Sequence, residues 1–175
     1  MQRSPEVASP KKPNRILIIG ATGGTGSQLV EQALERGYSV TALVRNPSKL
    51  GVEHASLTVI RGDVLDAETV TAAIKGQDAV VSALGHKRFF YPTRILSDGT
   101  RNILKAMEAN GVRRFVCETA LGIGDTAGRM GLLYSLIVIP LVLPFYFFDK
   151  TRQEKLIAAS NLDWVIVRPG ALTNG

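Results

Sequence analysis

The residues with the clearest chemical capacity are the glycines of Gly20-Ala-Thr-Gly-Gly-Thr-Gly26, which directly follow the apolar run Arg15–Ile19. A strand, a glycine-rich turn and a helix in that order make a diphosphate cradle. Gly20 permits the tight turn, Gly23 lets the backbone approach the ligand, and Gly26 lets the helix pack close to the strand; Thr22, Gly24 and Thr25 complete the loop. Bare amides at the helix start, together with the positive end of its dipole, then attract an anion. The second informative place is the end of the next apolar run, which reads Val44-Arg45-Asn46-Pro47-Ser48-Lys49. An acid there would accept hydrogen bonds from the ribose of NAD(H). A guanidinium would repel nothing on a 2′-phosphate and can pair with it in a forked geometry. The pattern therefore predicts NADP(H) in preference to NAD(H), with Arg45 as the selecting residue; the competing reading makes Arg45 a solvated residue after a strand.

These residues need a frame, and the remainder of the chain supplies one. Near-continuous apolar runs at 15–19, 39–44, 57–60, 79–83, 115–117 and 164–168 read as strands buried on both faces. They alternate with helical stretches at 26–36, at 66–74 with Asp66 as its cap, at 94–109 and at 150–159, three of them stopped by Gly37, Gly76 or Asn110-Gly111. That alternation predicts an α/β fold, a doubly wound parallel sheet of the Rossmann type in three α/β/α layers, forming one domain over residues 15–175. The chain stops a few residues past the sixth strand and so reads as a domain lacking its C-terminal end. Residues 1–14, with three prolines and no apolar stretch, read as a flexible tail without the centre of a secretion signal.

Composition narrows the function classes. Of 175 residues 45% are hydrophobic and 21% charged, the balance of a chain that buries a core. The net charge is +6, two of it in the tail, and the basic residues are scattered without aromatic interleaving or zinc spacing. Nucleic acid is therefore not an expected partner, whereas an anionic cofactor is. The single cysteine, Cys117, sits in an apolar run and reads as a buried strand thiol. His54 and His86 are too isolated for a metal or a triad, so no metal site is expected, and loop roles suit both. Residues 130–148 carry no charge and are long enough to touch a membrane, but Pro140 and Pro144 interrupt them. The bland reading is a buried or substrate-facing helix in a cytoplasmic protein.

Four stretches in order, Gly20–Gly26, Val44-Arg45-Asn46-Pro47, Gly62-Asp63-Val64-Leu65-Asp66 and Asp163-Trp-Val-Ile-Val-Arg168-Pro169-Gly170, resemble the atypical branch of the short-chain dehydrogenase/reductase superfamily, near its NmrA-like and flavin or biliverdin reductase-like members. The resemblance implies that Asp63 and Val64 lie at the adenine, Ala83-Leu84-Gly85 beside the adenosine ribose, and Pro169 to Thr173 along the nicotinamide. Asp63 could instead only hold a turn, and Pro169-Gly170 only end a strand. The superfamily's acid is a tyrosine one helical turn before a lysine, and Tyr146-Phe-Phe-Asp-Lys150 has that spacing. The serine expected after the fifth strand is replaced by Glu118-Thr119-Ala120, which leaves Thr119 to bond a substrate oxygen or to cap the loop that follows. Three functions are in contention: an NADPH-dependent reductase of an apolar acceptor such as a quinone, flavin or carbonyl, a non-catalytic NADP(H)-binding regulator, and a sugar epimerase, the last weakened by the apolar character of 132–148.

Overall fold

The computed structural model describes residues 13–86, 92–123, 126 and 144–170. Six strands, β1 (Arg15–Ile19), β2 (Ser39–Val44), β3 (Leu57–Arg61), β4 (Ala79–Ser82), β5 (Arg114–Glu118) and β6 (Asp163–Val167), form one sheet in the order β3-β2-β1-β4-β5-β6. Every pairing is parallel. This is the doubly wound Rossmann order, in which the sense of winding reverses between β1 and β4 and a crevice opens at their carboxyl ends. Four helices connect the strands: α1 (Gly24–Glu35), α2 (Ala67–Ile74), α3 (Ile95–Ala109) and α4 (Pro144–Ala158).

Alternation along each strand sends side chains to two different cores. Leu17, Ile19, Leu43, Val80, Phe115 and Cys117 pack under α2, α3 and α4. Ile16, Ile18, Val40, Ala42 and Val44 pack under α1. Asp66 caps α2 by accepting from the amides of Glu68 and Thr69, as its position before the helix requires. The cap of α3 is less obvious. Asp149, fully buried on α4, accepts from the amides of Leu96 and Ser97 at 2.9 and 3.2 Å, so the start of one helix is satisfied by the side chain of another.

Three expectations are corrected. Helix α1 starts at Gly24 rather than Gly26, because glycines in a first turn lower helix propensity without preventing the turn. Helix α4 is described from Pro144, six residues before Lys150, and so takes in the aromatic end of the uncharged run. Strands β3 and β6 are not buried on both faces: Val59, Trp164, Val165 and Val167 are exposed, and among the described residues both strands are sheet edges. The end of the predicted tail is held, with the amide of Asn14 on Asp78 at 3.0 Å and its carbonyl taking the amide of Ser39. Residues 1–12 and most of the uncharged run 130–148 lie outside the described residues, and among those described no helix is long and apolar enough to cross a membrane.

Candidate dinucleotide cleft

The parallel sheet brings six carboxyl ends to one edge, and the glycine turn leaves that edge from its middle strand. Gly20 has φ +85°, a left-handed conformation that side chains disfavour, and its carbonyl accepts the amide of Gly23 at 3.0 Å. A Cβ on Gly20 would stand 2.4 Å from the Ala83 carbonyl oxygen, and one on Gly26 would stand 2.0 Å from the Gly20 oxygen. Protein packing thus demands glycine at both ends of the loop. The middle is different. A Cβ on Gly24 would meet nothing within 4 Å, and one on Gly23 would only touch the Gly20 oxygen at 3.4 Å. Space in front of the helix is therefore left open by residues that the fold itself does not require to be small. Among the described residues no side chain caps this end of α1, and no acid lies in its first turn. Its amides and dipole face an open cradle that fits a diphosphate.

To the left of the turn, the register Ile19↔Leu43 puts Gly20 level with Val44 and Arg45 one residue beyond. One strand spacing, about 5 Å, separates the two. Arg45 is exposed and makes no hydrogen bond or ion pair among the described residues. The backbone after it is held by Asn46, whose side chain accepts from the Ser48 amide at 3.2 Å and the Ser48 hydroxyl at 2.8 Å, forming the short 3-10 turn Pro47–Lys49. At the end of β3, Asp63 accepts from the Leu65 amide at 3.0 Å, which gives it the turn role foreseen as its alternative. Val64 is buried against Gly99, where a Cβ would lie 2.8 Å from Val64 Cγ1, and its carbonyl accepts from Asn102. The Val64 side chain is thus spent on packing against α3.

To the right, α4 lies over the ends of β4 and β5. Lys150, 1% exposed, donates to the carbonyl oxygens of Leu84 and Glu118, each at 3.1 Å. Burial lowers its pKa from the usual lysine value. Tyr146 lies one turn earlier, with Lys150 Nζ 5.8 Å from its ring centroid. Burial raises the phenol's pKa and the nearby Glu118 carboxylate raises it further, so in the free protein the lysine does not win over desolvation. His86, three residues past Ala83, packs its ring edge-on to Tyr146 at 5.2 Å and meets the Thr93 hydroxyl at 3.0 Å. Gly85, between them, is exposed, and a Cβ there would meet nothing within 4 Å.

Thr119 is 4% exposed and its hydroxyl donates to Glu154 at 2.6 Å. Glu154 also takes both prongs of Arg168 at 2.9 and 2.8 Å, so threonine, glutamate and arginine tie β5, α4 and the end of β6 together. This hydroxyl is committed inside the protein. The loop after β5 is capped by Thr126, which accepts from the amides of Gly122 and Ile123. The Pro169 carbonyl accepts from the Leu121 amide at 2.9 Å, and Gly170 is exposed at the cleft edge; residues 171–173 lie outside the described ones. Cys117 is buried, and desolvation pushes its thiol up to about 11, an inert group. The His54 ring accepts the Ser56 amide and its carbonyl the Leu57 amide in an exposed turn.

Two residues of this edge were not read from the sequence. Glu118 accepts from the Thr25 hydroxyl at 3.2 Å, linking the start of α1 to the end of β5, and His86 flanks Tyr146. The signal for both was position: each sits at or just past the carboxyl end of a central strand.

Comparison with known proteins agrees with this geometry. A family model described as NAD(P)H-binding matches residues 20–175. An uncharacterized chloroplastic protein of Arabidopsis thaliana is 32% identical over 97% of this chain and 63% of its own length. A 3-beta-hydroxysteroid dehydrogenase of Mycolicibacterium neoaurum is 35% identical over 84% of this chain and 43% of its own. Among solved structures, ChuY, an anaerobilin reductase of Escherichia coli, superposes with a TM-score of 0.73 at 26% identity, covering 92% of this chain and 75% of that one. The chain thus spans about two thirds or less of the length of these curated relatives.

Proposed function

We propose, from the premise that this chain belongs to the NAD(P)H-binding family, that it is an NADP(H)-dependent oxidoreductase acting on a small apolar acceptor such as a quinone, flavin or carbonyl compound. The observation that carries the reading is the start of α1, with open space before Gly23 and Gly24 and, one strand away, the Arg45 guanidinium, which has no hydrogen-bond or ion-pair partner among the described residues. The amides of that turn would hold the diphosphate, Arg45 the 2′-phosphate, Asp63 and the Val64 backbone the adenine, and Ala83 to Gly85 the ribose. Pro169 and Gly170 would border the nicotinamide, which supplies a hydride when bound. Thr22, exposed at the loop tip, and Thr25, bonded to Glu118, shape the cradle's rim.

Tyr146 is the group we assign as proton donor to the reduced acceptor, with Lys150 as its cationic neighbour. His86, in contact with the same ring, keeps the phenol oriented. Thr119 has no part in this scheme, because its hydroxyl is spent on Glu154. The same fact favours one second reading, a non-catalytic NADP(H)-binding sensor, since the position where a hydroxyl would meet substrate is closed. An epimerase is disfavoured because the inward side chain of α4's first turn is the aromatic Tyr146, packed by His86, rather than a set of hydroxyl-binding groups. The setting we assign is cytoplasmic, with no nucleic-acid partner. The test is NADPH consumption, followed at its nicotinamide absorbance, with a panel of quinones, flavins and aldehydes. Turnover with at least one supports the reductase; tight NADPH binding with no turnover by any member supports the sensor.

A further inference from the structure

Helix α4 carries two stripes on nearly opposite sides. Tyr146, Lys150, Gln153 and Ile157 follow helical spacing and face inward, the last three almost fully buried. Phe145, Phe148, Arg152 and Lys155 follow the same spacing on the outer side, where Phe148 is 58% and Phe145 40% exposed. Two adjoining cavities open along this outer stripe, where α4 meets the start of α3. One, of about 300 Å³, is lined by Arg94, Ser97, Arg101, Arg152, Lys155 and Leu156. The other, of about 770 Å³, is lined by Pro92, Thr93, Phe145 and Phe148 and shares Arg94 and Arg152 with the first. Neither includes any residue of the glycine turn, of the strand ends or of the Tyr146–Lys150 pair.

The charge pattern is not explained by stability of the fold. Four cations line one small cavity, and the carboxylate that meets any of them is Asp98, paired with Arg101. The other acid nearby, Asp149, is buried and already bonded to two backbone amides. Arg94, Arg152 and Lys155 make no ion pair among the described residues. Arg94 moreover sits at the amino end of α3, where the helix dipole disfavours a cation. Arg152 lies with its guanidinium carbon 4.2 Å from the Phe148 ring centroid, a stacking that holds it at the junction of the two cavities.

We propose that these paired cavities form a second ligand site, separate from the dinucleotide cleft, for a small amphipathic anion: a phosphate or carboxylate head held by Arg94, Arg152 and Lys155, and an apolar body against Pro92, Phe145 and Phe148. A volume of several hundred cubic ångströms is that of small-molecule sites, and an exposed pair of phenylalanines beside converging guanidiniums gives both halves of such a ligand a partner. The same head chemistry could be presented by a free amphiphile or by a bilayer surface. The division into a small cation-lined hollow and a larger one carrying the phenylalanines matches the head and body of a single molecule, and favours the free amphiphile.

The test is calorimetric titration of the whole chain with decyl phosphate below its micelle concentration, with decanol and decyltrimethylammonium as neutral and cationic controls. The expected result is saturable one-to-one uptake of the phosphate, at least about tenfold weaker in Arg152→Glu and also weaker in Phe148→Ser, with NADPH affinity the same in all three proteins. Both substitutions lie on the exposed stripe, and retained NADPH binding certifies their fold. No saturable uptake, equal uptake by Arg152→Glu, or association only with anionic vesicles would overturn the proposal. None of these results bears on the cofactor assignment, which the NADPH titration reads independently.

Discussion

Replacing Arg45 by glutamate tests the cofactor reading most directly. The side chain is exposed and has no hydrogen-bond or ion-pair partner among the described residues, so its replacement breaks no such bond among them and should leave the melting temperature unchanged. A unit charge pair at 4 Å is worth about 1 kcal/mol in water and about 4 kcal/mol near a protein surface. A 2′-phosphate carries close to two charges, and the openness of the position argues for the weaker end of that range, which leaves about 2–3 kcal/mol. That is roughly thirty- to a hundredfold in NADPH affinity. NADH has no phosphate there and should lose little or gain slightly, because glutamate can accept from the ribose hydroxyls. Titration calorimetry of both nucleotides with both proteins, at low and high salt, measures the change in their ratio. An equal loss for NADPH and NADH would refute the assignment of Arg45, and a ratio insensitive to salt would refute its electrostatic origin.

Three other outcomes follow from the same geometry. Tyr146→Phe should lower turnover by about a hundredfold or more while leaving the NADPH dissociation constant unchanged, and an unaltered rate would remove the phenol from the chemistry. Gly26→Ala should fail to fold or melt much earlier, since its Cβ would lie 2.0 Å from the Gly20 oxygen, whereas Gly24→Ala should fold normally and lose dinucleotide affinity, as calorimetry and thermal melts will show. Asp78, whose carboxylate accepts the amides of Arg15 and Asn14 and the Arg15 guanidinium, has its pKa held down to about 2 from 3.8. A depressed folded pKa stabilises above the unfolded value and is lost as pH falls from about 4 through about 2, so Asp78→Asn should lower the melting temperature at pH 7 and make no difference near pH 2.

Periodicity made the sheet legible, because parallel strands buried on both faces leave continuous apolar runs that few other structures produce. The same rule misled at β3 and β6, whose residues are as apolar as the rest but stand at sheet edges, a fact set by strand order and not by composition. The glycine turn was legible because backbone geometry and ligand approach both select the one residue without a Cβ. Thr119 illustrates the opposite case. Its neighbours in sequence place it at the end of β5, but its hydroxyl is claimed by Glu154, thirty-five residues away and itself pinned by Arg168. Asp149 was invisible for the same reason, since its partners are amides of α3 more than fifty residues earlier. Side chains whose partners are distant in sequence carry no local signature.

Lys150 separates a catalytic reading from a binding one more sharply than any motif does. An ammonium has three N–H donors, and two of them are held by the carbonyl oxygens of Leu84, two residues past β4, and Glu118, the last of β5. The lysine therefore ties together the chain just after β4 and the end of β5. Burial lowers its pKa and raises that of Tyr146, so the pair is not poised for proton donation until something compensates the desolvation. In the reductase reading that compensation comes from negative charge developing on the acceptor oxygen beside the phenol, which an ammonium a few ångströms away stabilises only in the course of reaction. In a pure sensor no such charge develops and there is no turnover to lose, so Lys150→Met would change cofactor affinity alone. A loss of turnover much greater than the loss of NADPH affinity in that variant is the signature of the reductase, and matching losses would leave the lysine a structural strut.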